Sequence, residues 1–415
     1  MAATAWMTSD QLVEAIKRKI SIPIAQNTYS SNDILAFTNE ELLIAQVPAL
    51  LEHHEEYFVT YQVVPLRANV NRYAIPKRAI GDKLRDIFYS DNAEIVGLDY
   101  GNLFEMTRLD PADKAFFQAT MTASEALPSF YMEGGYVVLS PNVGSAPTGK
   151  LVMYYFLRPN QLVSNDRAAI AEYFVKTMVV SNSTIAAGDT VTIGDIEFEA
   201  VASGASGTQF NIGATSIDTA SNLATVIQSE GTYIASNGVV SSATVTVKYT
   251  EMDTDFETSN TVGFAISDDQ GIEFDEIPEN IANGSKIDFL QTDGSHKTYE
   301  FDVRLGNSAI SGDIITFGEG VVPDSFEIGD YICTSGECII PQIPSDLHNG
   351  LAERASARIL AAIGDSQGLQ ITNSKISDIV SAERTMISNR VEGAPLKVNN
   401  IHSILQNSKI RSWGS

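Results

Sequence analysis

Positive charge is scarce in this chain: 27 lysines and arginines stand against 52 aspartates and glutamates, a formal net charge of -25. Cysteine is nearly absent, with only Cys333 and Cys338, so neither a disulfide scaffold nor a four-thiol zinc site can be built. Apolar runs stay short of the roughly 18–20 residues needed to cross a bilayer. Met1 to Met7 lacks a basic region followed by an apolar core, so the sequence predicts a soluble chain made in the cytosol, without membrane contact. Glycine-rich phosphate loops, the G-x-S-x-G elbow and paired C-x-x-C motifs are missing too. The reading assigns no catalytic residue, no metal and no cofactor.

What is present suits a folded protein with several cores. The chain has 415 residues, 44% apolar and 19% charged. Its charge is uneven: residues 1–160 carry a net -5, residues 161–343 carry 28 acidic against 6 basic groups, and residues 344–415 carry a net +2. The acidic middle repels nucleic acid and favours solubility.

Periodicity divides the chain into seven stretches and predicts an α+β fold. Residues 1–55 read as helices, with Thr8 and Gln11, then Thr38 and Glu41, spaced as capping boxes, and Pro48 as a kink. Residues 56–160 alternate as an antiparallel β module with a Gly134-Gly135 hairpin turn. Residues 161–178 read as a linker helix over Asp166 to Phe174. Residues 179–269 form an inserted acidic β-rich domain with one helix, capped by Asp218. Residues 270–343 return to hairpins and place Cys333 and Cys338 on facing strands, as free thiols in a reducing cytosol or as a bridge. Residues 344–395 form a C-terminal helical hairpin whose first helix Ser345 caps, and residues 396–415 a polar tail.

Few clusters invite chemistry. His53 and Glu56 share a helical spacing but need a third ligand, and a solvated helix end fits as well. The acids Glu251, Asp253, Asp255 and Glu257 fit no calcium loop and read as surface charge. The one basic concentration, Pro76 to Arg85, brings Lys77, Arg78, Lys83 and Arg85 together for phosphates or for salt bridges between subunits, and nearby acids favour the latter.

Three groups of stretches resemble the neck proteins of tailed bacteriophages, the head-to-tail adaptors. They are Ser31 to Leu35 with Val47 to Leu51 and Glu55 to Tyr57; Tyr73 to Leu84 with Phe130 to Gly134 and Tyr154 to Asn160; and Pro341 to His348 with Ala361 to Asp365 and Arg390 to Pro395. Val191 to Gly194, Ala200 to Ala205, Gln209 to Gly213 and Thr219 to Ala224 resemble a small β-rich module of phage virion proteins. The resemblance implies a homo-oligomer, commonly a dodecameric ring, docked on a portal protein. It would meet a tail or second neck protein and pass genomic DNA without sequence-specific contact. It implies residence in the virion neck after assembly in the host cytoplasm. Candidate subunit or portal contacts are Lys77, Arg78, Lys83, Arg85, Lys397, Lys409, Arg411 and Trp413. The competing expectation is a collar or surface-binding protein, with the insertion holding a capsid, fibre or receptor.

Overall fold

The computed structural model describes residues 7–20, 29–53, 55–90, 103–110, 112, 129–140, 149–237, 243–292 and 298–386. Helix α1 (Ser9–Lys19) opens on the expected capping box of Thr8 and Gln11 and buries Leu12, Val13 and Ile16. Helix α2 (Ser31–Glu41) is capped by Ser30 with Asp33. Thr38 is therefore not a cap: it lies inside α2, buried, with its hydroxyl donating to Ile34 O at 2.8 Å. A π-helical segment, Leu42–Gln46, then joins α2 to α3 (Val47–His53). The wider π register has Val47 N–H donating to Leu42 O, and Pro48 follows in the first turn of α3, where its missing donor costs little. The run Ser31–Glu52 has the length and mean hydropathy, 1.3, of a membrane span. Here Ile34, Leu35, Leu42, Val47 and Leu50 pack into a core shared with α1 and the C-terminal helices.

The β module contains β1 (Val59–Pro65), β2 (Arg72–Ala74), β3 (Ala79–Ser90), β4 (Leu103–Glu105), β5 (Ser129–Glu133), β6 (Tyr136–Ser140) and β7 (Lys150–Leu157). Its sheets, β1-β7-β3-β4 and β2-β6-β5, enclose Tyr73, Val137, Leu139, Leu151, Met153 and Tyr155. Gly134 and Gly135 both take positive φ, as a two-residue hairpin turn requires.

Strand β8 (Gln161–Leu162) and a 3-10 turn, Asn165–Arg167, lead into β9 (Ala168–Val180). The linker helix expected over 161–178 is thus replaced by a long strand. Its alanines and Glu172 tolerate a helix, but Ile170, Tyr173, Phe174, Val175, Thr177, Val179 and Val180 prefer a pleated surface. Strand partners flank it from end to end, on both edges at 174–175 and 178–179.

The insertion comprises β10 (Thr190–Ile193), β11 (Ile196–Val201), β12 (Gln209–Asn211), α4 (Ser216–Glu230), β13 (Ile234–Asn237), β14 (Thr244–Tyr249), β15 (Phe256–Thr258) and β16 (Phe264–Ile266). Thr215, not Asp218, caps α4, and Asp218 closes the capping box from the third helical position. Phe198, Phe210, Leu223, Ile227, Val245 and Phe264 fill its core, together with Met178 and Val180 of β9.

The chain returns through β17 (Gln270–Phe274), β18 (Lys286–Leu290), β19 (Thr298–Arg304), β20 (Ile310–Ser311), β21 (Ile314–Phe317), β22 (Tyr331–Thr334) and β23 (Glu337–Cys338). A ten-stranded sheet runs β19-β18-β22-β9-β17-β21-β20, and β13, β14 and β16 join it through the C-terminal half of β9. The two cysteines do not face each other across a hairpin ladder: β22 pairs with β18 and β9, whereas β23 pairs in parallel with β8. Both thiols are free and fully buried.

Helix α5 (His348–Ile363) follows a 3-10 turn starting at Ser345, which makes no side-chain cap. Leu351, Ala355 and Ile359 are buried, whereas Ile363 is 48% exposed. Gly364, left-handed, ends α5, and α6 (Ser366–Met386) packs back along it. The chain is α+β throughout.

Candidate functional site

The densest polar arrangement is centred on Asp288, fully buried in β18. Opposite it β19 bulges: Ile287 pairs with Val303 and Phe289 with Glu300, leaving Phe301 and Asp302 against one residue. Asp302 adopts φ 61, a left-handed conformation that aspartate tolerates better than most side chains. Its backbone N–H donates to Asp288 Oδ1 at 2.9 Å. Gly336 N–H and Asn160 Nδ2 donate to Asp288 Oδ2, each at 2.9 Å. The Arg78 guanidinium bonds both carboxylate oxygens, at 2.9 and 2.8 Å. Arg78 also reaches Asn160 Oδ1 and Ser335 Oγ at 2.9 Å and lies 5.3 Å over the Phe301 ring. Ser335 in turn donates to Asp302.

This node fastens the turn before β3, the β7–β8 connection, the β18–β19 pair and the β22–β23 turn to one carboxylate. Arg78, a candidate subunit or portal contact, spends its guanidinium inside the chain, its side chain 13% exposed. Burial pushes the Asp302 carboxyl up, but the Ser335 hydrogen bond and the Arg78 charge outweigh it and hold it below the usual range. Burial, then the Asp288 charge, raises Glu300.

Two clefts flank the node. One, about 460 Å³, is lined by Thr60 to Val63 of β1, Thr298 to Asp302 of β19, and Tyr155. Tyr155 is fully buried, its hydroxyl has no hydrogen-bond partner among the described residues, and burial pushes its pKa up to about 12. The other, about 330 Å³, runs between the π segment and the β7–β8 connection and is lined by Leu42, Leu43, Lys77, Arg158, Pro159 and Gln161, among others.

The other basic candidates are dispersed. Lys77 is exposed and lines both clefts. Lys83 lies 5.0 Å over the Phe156 ring, and Arg85 approaches Glu56 at 3.9 Å and Asp86 at 3.5 Å. Lys397, Lys409, Arg411 and Trp413 lie outside the described residues, as does His54 beside His53. Among the described residues no three His, Cys, Asp or Glu side chains are grouped to hold a metal ion. Sequence reasoning passed over Asp288, Asn160 and Ser335, because each is an ordinary strand or turn residue until the fold brings Arg78 to it. Neither a protein-family model nor a curated protein matches the sequence.

Proposed function

We propose that this chain is a structural subunit, without catalysis of its own, of a ring that joins a phage head to its tail. The observation that carries the reading is α6. Of its described side chains only Thr372 and Glu383 are buried, and Ile371 is 54% exposed, although Leu369, Ile376, Ile379 and Val380 form a stripe. A surface helix of a self-sufficient domain normally buries such a stripe completely. Here it stays half covered, as it would where a neighbouring subunit supplies the rest. Gln46 of the π segment and Arg354 of α5 bond Glu383 at 3.4 and 3.3 Å and fix α6 against them.

In this reading the helices and the β module build the ring, commonly twelve subunits, in the virion neck. The tail from Leu396 onward meets the portal, the opposite side meets a tail or second neck protein, and DNA passes without sequence-specific contact. Native mass spectrometry of the full chain tests it: the expected species is a closed oligomer, twelve times the 44.9 kDa of one chain. A single-chain mass at every concentration would overturn it. The separate core of the insertion favours a second role beside this one, a collar or surface-binding module. Excision tests that role if it spares β9, since β14, β16 and β17 all pair with Val175 to Val180 or their neighbours.

A further inference from the structure

We propose that, before the chain meets a portal, its own C-terminal segment Lys409–Trp413 docks as an added strand in the slot between β1 and β19. The inference goes beyond the ring reading and stands without it. In an assembled neck, portal binding would draw the same tail out.

The slot is bounded by two strand edges. A strand shows alternate side chains to each face, so a cleft over a sheet face is lined by every second residue. Here consecutive residues line the 460 Å³ cleft, Thr60 to Val63 of β1 and Thr298 to Asp302 of β19. Its walls are therefore main chain as well as side chain. A smaller pocket of about 70 Å³ continues it past Val59, and Thr60 and Thr298 line both. Among the described residues β1 pairs only with β7 and β19 only with β18, so each leaves one edge unpaired. A row of unpaired N–H and C=O groups accepts another strand, and the slot offers two such rows over about five residues, an ordinary strand length.

Position and pattern together choose the occupant. Helix α6 ends one turn past Glu383, whose carboxylate lies against Gly350 of α5, where a Cβ would collide with it. His348, two residues earlier, donates from Nε2 to Ile343 O. Neighbouring Gln342 lines the small pocket and donates to Thr298 Oγ1 at 2.8 Å. The chain therefore leaves α6 beside the mouth of the slot. Residues 387–415 follow, and the stretch before Lys409 can span up to about 75 Å when extended. Cations outnumber carboxylates there: Arg390, Lys397, Lys409 and Arg411 stand against Glu392. Only Lys409 and Arg411 are two residues apart, with Ile410 between them and Trp413 at the next such step. Strand β19 offers Glu300 and Asp302, likewise two residues apart and at exposed positions. The Asp302 side chain is 44% exposed, and Glu300 makes no ion pair among the described residues. Opposite charges at matching steps pair across neighbouring strands, which selects a register as well as a sign. No proline interrupts Leu396 to Ser415, so every main-chain donor is available to the two edges.

Disulfide trapping in the full chain tests the docking. Gln62, exposed and lining the slot, is replaced by cysteine together with Ser412, while the native Cys333 and Cys338 are buried. In a glutathione redox buffer Gln62→Cys/Ser412→Cys should bridge at least about ten times faster than Ser229→Cys/Ser412→Cys, whose exposed partner lies on α4, because docking raises the effective concentration. Under denaturing, non-reducing conditions the bridged species should have the 44.9 kDa mass of one chain. Glu300→Lys and, separately, Lys409→Glu with Arg411→Glu should each slow the bridge toward the control rate. Thermal melts followed by circular dichroism verify that each variant folds. Equal rates at Gln62→Cys and Ser229→Cys, or a rate that neither charge reversal moves, overturn the docking. A bridged mass of two chains puts a second copy's tail in the slot and overturns the assignment to the chain's own.

Discussion

Replacing Asp288 with alanine deletes one carboxylate and strands the donors gathered on it: the Arg78 guanidinium, Asn160 Nδ2, and the backbone N–H groups of Asp302 and Gly336. Each orphaned backbone donor costs about 1–3 kcal/mol. Breaking a buried ion pair from one side costs about 3–5 kcal/mol, and the lower end applies because Arg78 keeps Asn160 and Ser335. Allowing for relaxation, we expect Asp288→Ala to lose about 4–6 kcal/mol, a large part of a domain's stability. Arg78→Met should cost less, about 2–3 kcal/mol, because the carboxylate retains three donors that stabilise its charge. Urea unfolding followed by far-UV circular dichroism measures both, with midpoints compared at a common slope. If Arg78→Met destabilises as much as Asp288→Ala, the backbone donors are not what the carboxylate serves, and the account of the node fails.

Four further outcomes are expected. Cys333 and Cys338, buried with their thiols pushed up by burial, should leave Ellman's reagent uncoloured in native protein and react fully in denaturant. Tyr155→Phe removes a buried hydroxyl without a partner, so its urea midpoint should rise, by about 1 kcal/mol of stability; a fall would mean the hydroxyl is used. Asp302 has a folded pKa below its ordinary 3.8, so its charge stabilises above that pH and the effect is lost as pH falls through the folded value. The stability gap between wild type and Asp302→Asn should therefore be open at pH 7 and close under acid; a gap unchanged by acid would refute the assignment. Thr215→Ala should cost about 1 kcal/mol by removing the cap of α4, read as a lower thermal midpoint.

The sequence carried local rules well and long-range ones poorly. Strand periodicity in the β module, the diglycine turn and the Thr8–Gln11 box depend on neighbours within a few residues, and each is where spacing placed it. An aspartate reads as a cap in its own right, so Asp218 hides the box at Thr215, from whose N–H its carboxylate accepts. Strand β9 looked helical because Ala168, Ala169, Ala171 and Glu172 suit either state, and its strand partners lie far along the chain. The site was least legible. Arg78 meets Asn160, Asp288 and Ser335 across 82, 210 and 257 residues, and no spacing rule reaches that far. Lys77 is legible by its charge in a basic run, whereas Arg158 reaches the cleft they share only through the fold.

Strand β9 also decides how the molecule bears load. The insertion is entered through one unbroken strand of 13 residues whose first half is laddered to β22 and β17 and whose second half is laddered to β14 and β16. A pull on the insertion along that strand acts on the ladder bonds in shear, many at once, instead of unzipping them one by one. The inserted domain is therefore mounted as a cantilever is, on a beam that continues into the wall behind it. Displacement at its far end is then felt behind it as torque on a shared sheet.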